Sequence, residues 1–303
     1  MDARLLEYFL AIVDHGSYGR AAQALHIAQP SLSQAISGLE RELGVRLFQR
    51  IGRGVVLSDA GTELIGPARQ VLRDLQTARD AMASVKGLQR GRVELASMPS
   101  PGIEPLSTLM LRFAERHPGV QVDADAAFTP DEVERKVRHG ACELGLVGTP
   151  EPARPVGLDA FELEEQHFVL VGTAGLDSLG QDPVPLRALN GATLVVSPSG
   201  SLMRRIVDDA LAEGVDLRIV AEVAHRTSIL PLVMRGAGLA VLPAAWAPLA
   251  RRTGARAVRI DHPARLHVAL LSRSATPLSP AAAAFLALAR AYRPTDYGVD
   301  KDS

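Results

Sequence analysis

Two groups of residues carry the side chains with chemistry to offer. The first is the run Gln29-Pro30-Ser31-Leu32-Ser33-Gln34-Ala35-Ile36-Ser37. Leu32, Ile36, Leu39 and Leu43 recur at helical steps, which predicts a helix with one narrow apolar side against a core. Pro30, Gln34, Ser37 and Arg41 fall on the opposite side, with Ser33 flanking them. Amide and hydroxyl groups with little bulk suit hydrogen bonding to base edges in a DNA major groove. A merely solvated helix face looks the same in isolation, so the neighbouring elements decide. The second group is a set of hydroxyls, Ser97 and Ser100 beside Pro99, Thr129, Ser197, Ser199 and Ser201, together with Gly148, His225 and Thr227. They lie where strand-like runs give way to helix-like ones, and Ser201 opens a helix. Hydroxyls and free N–H groups at helix starts suit a carboxylate or phosphate, although each serine alone is also an ordinary helix cap. Arg204 and Arg205 add positive charge further along the same helix.

Nothing in the chain has the spacing of a catalytic site. No Gly-x-Ser-x-Gly elbow, no Gly-x-x-x-x-Gly-Lys-Ser/Thr loop and no His-Glu-x-x-His appears, and the histidines show no metal-ligand spacing. Gly236-Ala237-Gly238 lacks the third glycine of a dinucleotide fingerprint and follows a helix. We therefore expect neither an enzyme, a cofactor nor a metal.

The elements that position the first group precede and follow it. Leu5, Leu6, Phe9, Leu10 and Val13 form the stripe of a first helix that breaks at His15-Gly16. Ser17 caps a short second helix carrying Ala21, Ala22 and Leu25, and a tight turn at His26-Ile27-Ala28 leads into the third. Two alanines permit the close crossing of a helix-turn-helix. Gly44 follows Leu43 as a helix terminator. Leu47–Arg50 and Val55–Leu57 then read as a hairpin whose Arg50 and Arg53 project towards phosphates. From Ser58 a long helix carries Leu64, Ala68, Val71, Leu75, Ala78, Met82 and Val85 in an unbroken seam of the coiled-coil kind, with Pro67 expected to kink or loosen one turn. Such a seam either pairs two subunits or packs on its own domain. Gly87 to Gly91 supplies a hinge.

Beyond Arg92 strands and helices alternate. Strands are expected at Arg92–Ser97, Val120–Phe128 and Glu143–Val147, with helices at Pro101–Arg116 and Pro130–His139, giving a mostly parallel sheet. A second unit places strands near 167–173, 193–197, 218–223 and 239–242 and helices near 201–213 and 227–235. A late strand at Arg265–Ser272, a closing helix at Pro280–Tyr292 and a disordered polar tail from Pro294 complete the chain.

Composition bounds the rest. The chain has 303 residues, enough for two or three domains, with 47% hydrophobic residues and a net charge of −1. Any positive patch is therefore local, built from Arg41, Arg46, Arg50 and Arg53 against Glu40 and Glu42. The single cysteine, Cys142, excludes an intrachain disulfide and reads as a small buried hydrophobe. Neither a signal peptide nor an eighteen-residue apolar run is present, which predicts a cytoplasmic protein.

The stretch from Tyr8 to Gly61 strongly resembles the DNA-binding domain of LysR-type transcriptional regulators. The resemblance rests on the Ala21-Ala22 doublet, the AQPSLSQAI run ending at Ile36, the LE-x-x-LG-x-x-LF-x-R block from Leu39 to Arg50, and the Leu57-Ser58-x-Ala60-Gly61 exit. Ser58 stands where the family often has threonine, and either hydroxyl can cap the next helix. The later part resembles the family's periplasmic-binding-protein-like effector domain through Phe113-x-x-x-His117-Pro118, the strand at Leu144 and Gly236 to Pro243. There Glu143 replaces the usual aspartate.

The resemblance implies an α+β multidomain protein with a winged helix-turn-helix at 1–58, a dimerising linker helix and hinge at 59–91, and an effector-binding domain at 92–293. That domain divides into subdomain I, about 92–163 plus 267–293, and subdomain II, about 164–266, before the tail at 294–303. It implies promoter DNA as partner, contacted by Gln29, Pro30, Ser31, Ser33, Gln34, Ser37, Arg50 and Arg53, and a homodimer or homotetramer, with RNA polymerase a candidate further partner. It also implies a small effector, read from the hydroxyl groups as an anion, whose binding changes the angle between the subdomains and the bending of bound DNA. The lone cysteine argues against the redox-sensing branch. An extracytoplasmic solute-binding protein is the alternative for the carboxyl-terminal part alone.

Overall fold

The computed structural model of the chain describes residues 2–51, 54–83, 91–176, 179, 182–274, 276–294 and 297. Three helices open it, α1 (Ala3–His15), α2 (Tyr18–Ala24) and α3 (Gln29–Leu43). Gly16 ends α1 in the left-handed region at φ 65°, where a side chain would be strained, and Ser17 starts α2 by accepting the Arg20 N–H at 3.3 Å. Leu32, Ile36 and Leu39 are buried, as their spacing predicts. Leu43 departs from that expectation and is 37% exposed, because the last turn of α3 overruns the core before Gly44 ends the helix.

The fourth inward position belongs to Glu40 instead. Its Oε1 accepts from the backbone N–H groups of Leu47 at 2.8 Å and Phe48 at 3.2 Å, and its Oε2 from Arg46 at 3.1 Å. This carboxylate fastens α3 to the hairpin β1 (Phe48–Ile51) and β2 (Gly54–Leu57), in which Arg50 lies opposite Val55. Phe48 meets Phe9 and Tyr18 with ring centroids 5.5 and 5.8 Å apart, so the hairpin is also packed onto both earlier helices.

The long helix α4 (Asp59–Ala83) starts beneath the hairpin. Ser58 Oγ accepts the Gly61 N–H at 3.0 Å and donates to the Arg46 carbonyl at 2.6 Å, so its hydroxyl caps the helix as expected. Gly61 admits no side chain, since a Cβ there would lie 2.2 Å from the Leu47 carbonyl oxygen. The helix continues through Pro67. Its seam divides: Ala68 is buried in the amino-terminal core with Leu64 against it, whereas Val71 and Leu75 are exposed. Val85 and residues 87–90 of the expected hinge lie outside the described residues.

Two sheets follow. The first comprises β3 (Gly91–Ser97), β4 (Val120–Ala126), β5 (Leu144–Thr149), β6 (Leu158–Gln166) and, from late in the chain, β13 (Leu266–Arg273), in the order β4-β3-β5-β13-β6. It carries α5 (Pro99–Ile103), α6 (Leu106–Arg116), α7 (Pro130–Arg138) and α11 (Pro280–Arg290). The second unit comprises β7 (Phe168–Gly172), β8 (Val184–Pro185), β9 (Thr193–Val196), β10 (Arg218–Glu222), β11 (Ala240–Pro243) and β12 (Arg256–Asp261), with α8 (Leu202–Ala212), α9 (Ile229–Met234) and α10 (Ala247–Arg252).

The sheets are mostly parallel, as expected, with one reversed strand in each of the two larger ones. β4-β3-β5 and β9-β10 are parallel, but β13 runs antiparallel to both its neighbours, as does β7. The expected helix over 101–116 is two helices, divided at Glu104-Pro105, where proline has no N–H to continue the ladder. β6 extends the first subdomain to Gln166, three residues past the expected boundary. Its glutamates hid it, since Glu164 and Gln166 point inward. The tail also departs from expectation at Tyr297, which is buried and donates its hydroxyl to Glu164 at 2.8 Å.

Glu40→Gln should destabilise the amino-terminal domain by about 1–3 kcal/mol, because it weakens charge-assisted bonds to buried amides. Arg46→Gln, removing a side chain that is 81% exposed, should cost under about 1 kcal/mol. Thermal melts of the two variants check this, and equal losses would mean that the surface pair, not the amide contacts, fastens the hairpin.

Candidate functional site

Helix α3 presents Gln29, Pro30, Ser31, Gln34 and Ser37 to solvent, with Ser33 half-buried at their edge. Of these, Pro30, Gln34 and Ser37 lie opposite the buried Leu32, Ile36 and Leu39, while Gln29 and Ser31 are open at the helix start. The start of α3 is left without a side-chain cap, because Ala28 occupies the capping position and Pro30 lies in the first turn. A helix start of this kind leaves backbone N–H groups for a phosphate oxygen, and its positive dipole end favours one. A helix is about 10–12 Å across, which matches the roughly 12 Å major groove. Arg41 turns its Nε to the Ser37 carbonyl at 3.3 Å, so part of its hydrogen-bonding capacity is spent within the helix. Arg46 is likewise engaged by Glu40. Arg50 belongs to β1, and Arg53 lies outside the described residues.

The second site is a cleft of about 580 Å³ between the subdomains. Ser100, Thr129 and Gly148 line it from the first, and Ser199, Ser201 and His225 from the second, so the structure brings together six of the ten residues expected there. The positions follow from topology, since α5, α7 and α8 each begin where a strand ends and their amino ends meet at this gap. Ser97 and Ser197 do not reach it. Both are buried, Ser97 Oγ donating to the Met98 carbonyl at 3.0 Å and Ser197 Oγ lying 3.8 Å from Met203 Sδ. Pro99 and Thr227 flank lining residues without lining the cleft themselves.

The hydroxyls of Thr129 and Ser201 serve two roles. Thr129 Oγ1 accepts the Glu132 N–H at 3.2 Å, while Glu132 reaches back to the Phe128 N–H at 2.9 Å, and Ser201 Oγ accepts the Arg204 N–H at 3.2 Å. Capping occupies an oxygen lone pair and leaves the hydroxyl proton to donate into the cleft. Ser100 Oγ is buried with no hydrogen-bond partner. The walls between these groups are apolar, formed by Met98, Phe128, Phe168, Leu202, Met203 and Leu266.

Arg226 also lines the cleft, and sequence reasoning passed it over. Burial pushes its guanidinium below the ordinary arginine value, and no carboxylate pairs with it among the described residues. The only signal in the sequence was its place between His225 and Thr227. Arg204, which had looked a better source of charge, is turned to Asp208 at 2.7 Å and Glu222 at 2.6 Å. Elsewhere, burial raises the thiol of Cys142 to about 11, consistent with an unreactive packed side chain. No described helix is long and apolar enough to cross a membrane.

Both regions have counterparts among known proteins. Residues 3–62 match the family model for bacterial regulatory helix-turn-helix proteins of the lysR family, and residues 86–294 match the LysR substrate binding domain. The chain is 31% identical over 296 residues to the HTH-type transcriptional regulator TfdS of Cupriavidus pinatubonensis, covering 96% of this chain and 98% of that one. It is 29% identical over 286 residues to the RuBisCO operon transcriptional regulator of Allochromatium vinosum, covering 93% of each. Among solved structures, a full-length OxyR from Pseudomonas aeruginosa superposes with a TM-score of 0.71 at 20% identity, covering 100% of this chain and 99% of that one. CbnR in complex with its target DNA gives 0.66 at 24% identity, covering 96% and 99%. With a helix-turn-helix that exposes a slim polar face, a two-subdomain effector-binding unit behind it and both family models matched, the chain belongs to the LysR family of DNA-binding transcriptional regulators.

Proposed function

We propose that this regulator responds to a small anionic effector held in the cleft between its subdomains. The observation that carries this reading is Arg226, a desolvated guanidinium without a carboxylate partner among the described residues, facing the same cavity as the unpartnered Ser100 hydroxyl. A half-buried guanidinium with no protein carboxylate beside it favours an anion, and a carboxylate or phosphate would also accept from the hydroxyls at the starts of α7 and α8. The apolar walls suit an organic body attached to that charge.

On the DNA side, Gln34 and Ser33 read base edges, Gln29, Ser31 and Ser37 flank them, and Pro30 offers an apolar edge to a thymine methyl. Arg50 and Arg53 hold the phosphate backbone. The exposed Val71 and Leu75 on α4 support pairing of two linker helices in a homodimer, which assembles further into a tetramer. The protein acts in the cytoplasm on promoter DNA, with RNA polymerase the partner that activation would require.

Thermal-shift titration of the full-length protein with small carboxylates and phosphates tests the effector reading. A matching anion should raise the wild-type midpoint, and Arg226→Gln should weaken that anion by about 10–100-fold, the equivalent of one buried charge-assisted contact. Equal titrations in both proteins would remove Arg226 from the site and the anion with it. In gel shifts on the region upstream of the gene, Gln34→Ala should reduce discrimination between bases by about 1–3 kcal/mol. Arg50→Ala should weaken binding to all sequences alike and flatten the salt dependence by about one counterion. Unchanged selectivity in the first variant, or a sequence-selective loss in the second, would reverse the division of labour between helix and hairpin.

A further inference from the structure

Helix α7 joins two places that are otherwise far apart. Thr129 and Pro130 at its amino end line the cleft, and its carboxyl end runs into Gly140, roughly 13 Å further on for the nine residues between. Its inner face is seated tightly on β5. Val133 and Val137 are fully buried, and a Cβ on Gly145 would lie 2.5 Å from Val133 Cγ1 and 2.7 Å from Val137 Cγ2. A regular helix packed at this density shifts as a body and does not yield along its length.

At the far end, the Gly140 carbonyl accepts a hydrogen bond from Arg73 Nη1 on the linker helix α4. Arg73 Nη2 donates to Gln70 Oε1 at 2.8 Å, and the same oxygen accepts from Arg273 Nη2 of β13 at 2.7 Å. One turn earlier on α4, Arg69 Nη2 meets Asp14 of α1 at 2.6 Å. The linker helix is thus tied to the effector domain by Arg73 and to the DNA-binding domain by Arg69.

The effector-domain joint brings two cations together over little neutralising charge. Two guanidiniums share one neutral amide oxygen, and burial pushes both below the ordinary arginine value. Arg73 Nε is buried without a partner. Glu143, the carboxylate that pulls most on Arg73, is occupied by the Ser279 N–H and hydroxyl, each at 2.7 Å. Opening the joint would return both cations to water, which offsets part of the cost of breaking its hydrogen bonds.

We propose that Arg73 and the Gly140 carbonyl form a releasable latch, through which a displacement of α7 at the cleft is passed to the linker helix and so to the recognition helix. Its input rests on the cleft being the effector site. The latch itself rests only on the contacts described.

Hydrogen–deuterium exchange of the full-length protein tests it without any ligand. Arg73→Ala should speed exchange of the amides across residues 130–140 by roughly tenfold, and Arg73→Lys, which keeps the charge but not the forked geometry, should do so less. Gly140→Ala attacks the joint from the other side, since Gly140 stands at φ 67°, where a side chain strains the backbone, and its Cβ would also press Arg273 Nη1 at 2.6 Å and Arg73 Nη2 at 2.8 Å aside. In a circular-permutation gel assay with DNA from upstream of the gene, Arg73→Ala and Gly140→Ala should change the bend in the same direction. The double variant should go no further than either single one, as two lesions in one contact must. Wild-type exchange across 130–140 in Arg73→Ala, or additive changes in bend, would overturn the latch. Should Gly140→Ala not fold, the exchange data on the two Arg73 variants decide alone. If these signatures appear while no anion titrates the cleft, the effector reading fails and the latch stands.

Discussion

The effector domain depends on how a buried carboxylate is held where the chain first crosses between its two halves. Glu164 sits at the end of β6, just before the backbone leaves the first sheet at Gln166 and enters the second at Phe168. Burial disfavours its charge and raises its pKa, while hydrogen bonds from Gln166, Tyr297 and Tyr292 pull the other way. Burial likewise keeps both tyrosine hydroxyls protonated, so they remain donors. Tyr297 also accepts from Arg251 of α10 at 3.3 Å through its carbonyl, so this residue near the end of the chain bridges both subdomains beside the crossing. The chain returns from the second half at 262–265, and Glu164 with its two tyrosines braces the first of these crossings.

A second buried glutamate does similar work on the DNA side. Glu40 lies on the same helix as Gln34 but faces inward, where it fixes the hairpin through two backbone amides. The helix proposed to read bases and the hairpin proposed to hold the backbone therefore share one mount. The polar face of α3 is aimed by what lies beneath it: Leu32, Ile36 and Leu39 set its depth, and Glu40 sets the hairpin beside it. This is why a helix with an unremarkable polar side can serve as a reader once its supports are in place.

Much of this was legible in the sequence. The helix-turn-helix announced itself through apolar spacing, the Ala21-Ala22 doublet and the terminating glycines, because local rules govern helices of this length. The hydroxyls at Ser100, Thr129 and Ser201 could be placed in one cleft because strand-to-helix junctions fall on the same side of an α/β sheet. What stayed hidden was polar burial. Glu40, Glu164 and Gln166 look like surface residues until their partners are brought to them, from just past the end of the helix for Glu40 and from 62 to 133 residues away for the other two. β6 was missed for that reason, and so was the buried end of the tail at Tyr297. Arg226 was overlooked because charge in a sequence carries no mark of desolvation, whereas Arg204, more conspicuous at a helix start, proved to be neutralised by its neighbours. Residues such as Ser97 and Ser197 failed for a smaller reason, since consecutive positions at a strand end point to opposite sides.

The doubled role of the Thr129 and Ser201 hydroxyls has a consequence for how such a regulator can change over generations. A substitution that removed either would fray a helix as well as weaken the grip on an anion proposed above, so folding itself would protect these hydroxyls from drift. Phe128 and Leu202 carry no such obligation. They can be exchanged for other apolar shapes at modest cost, which would let descendants of one scaffold retune the apolar part of the cleft while leaving its polar anchors in place.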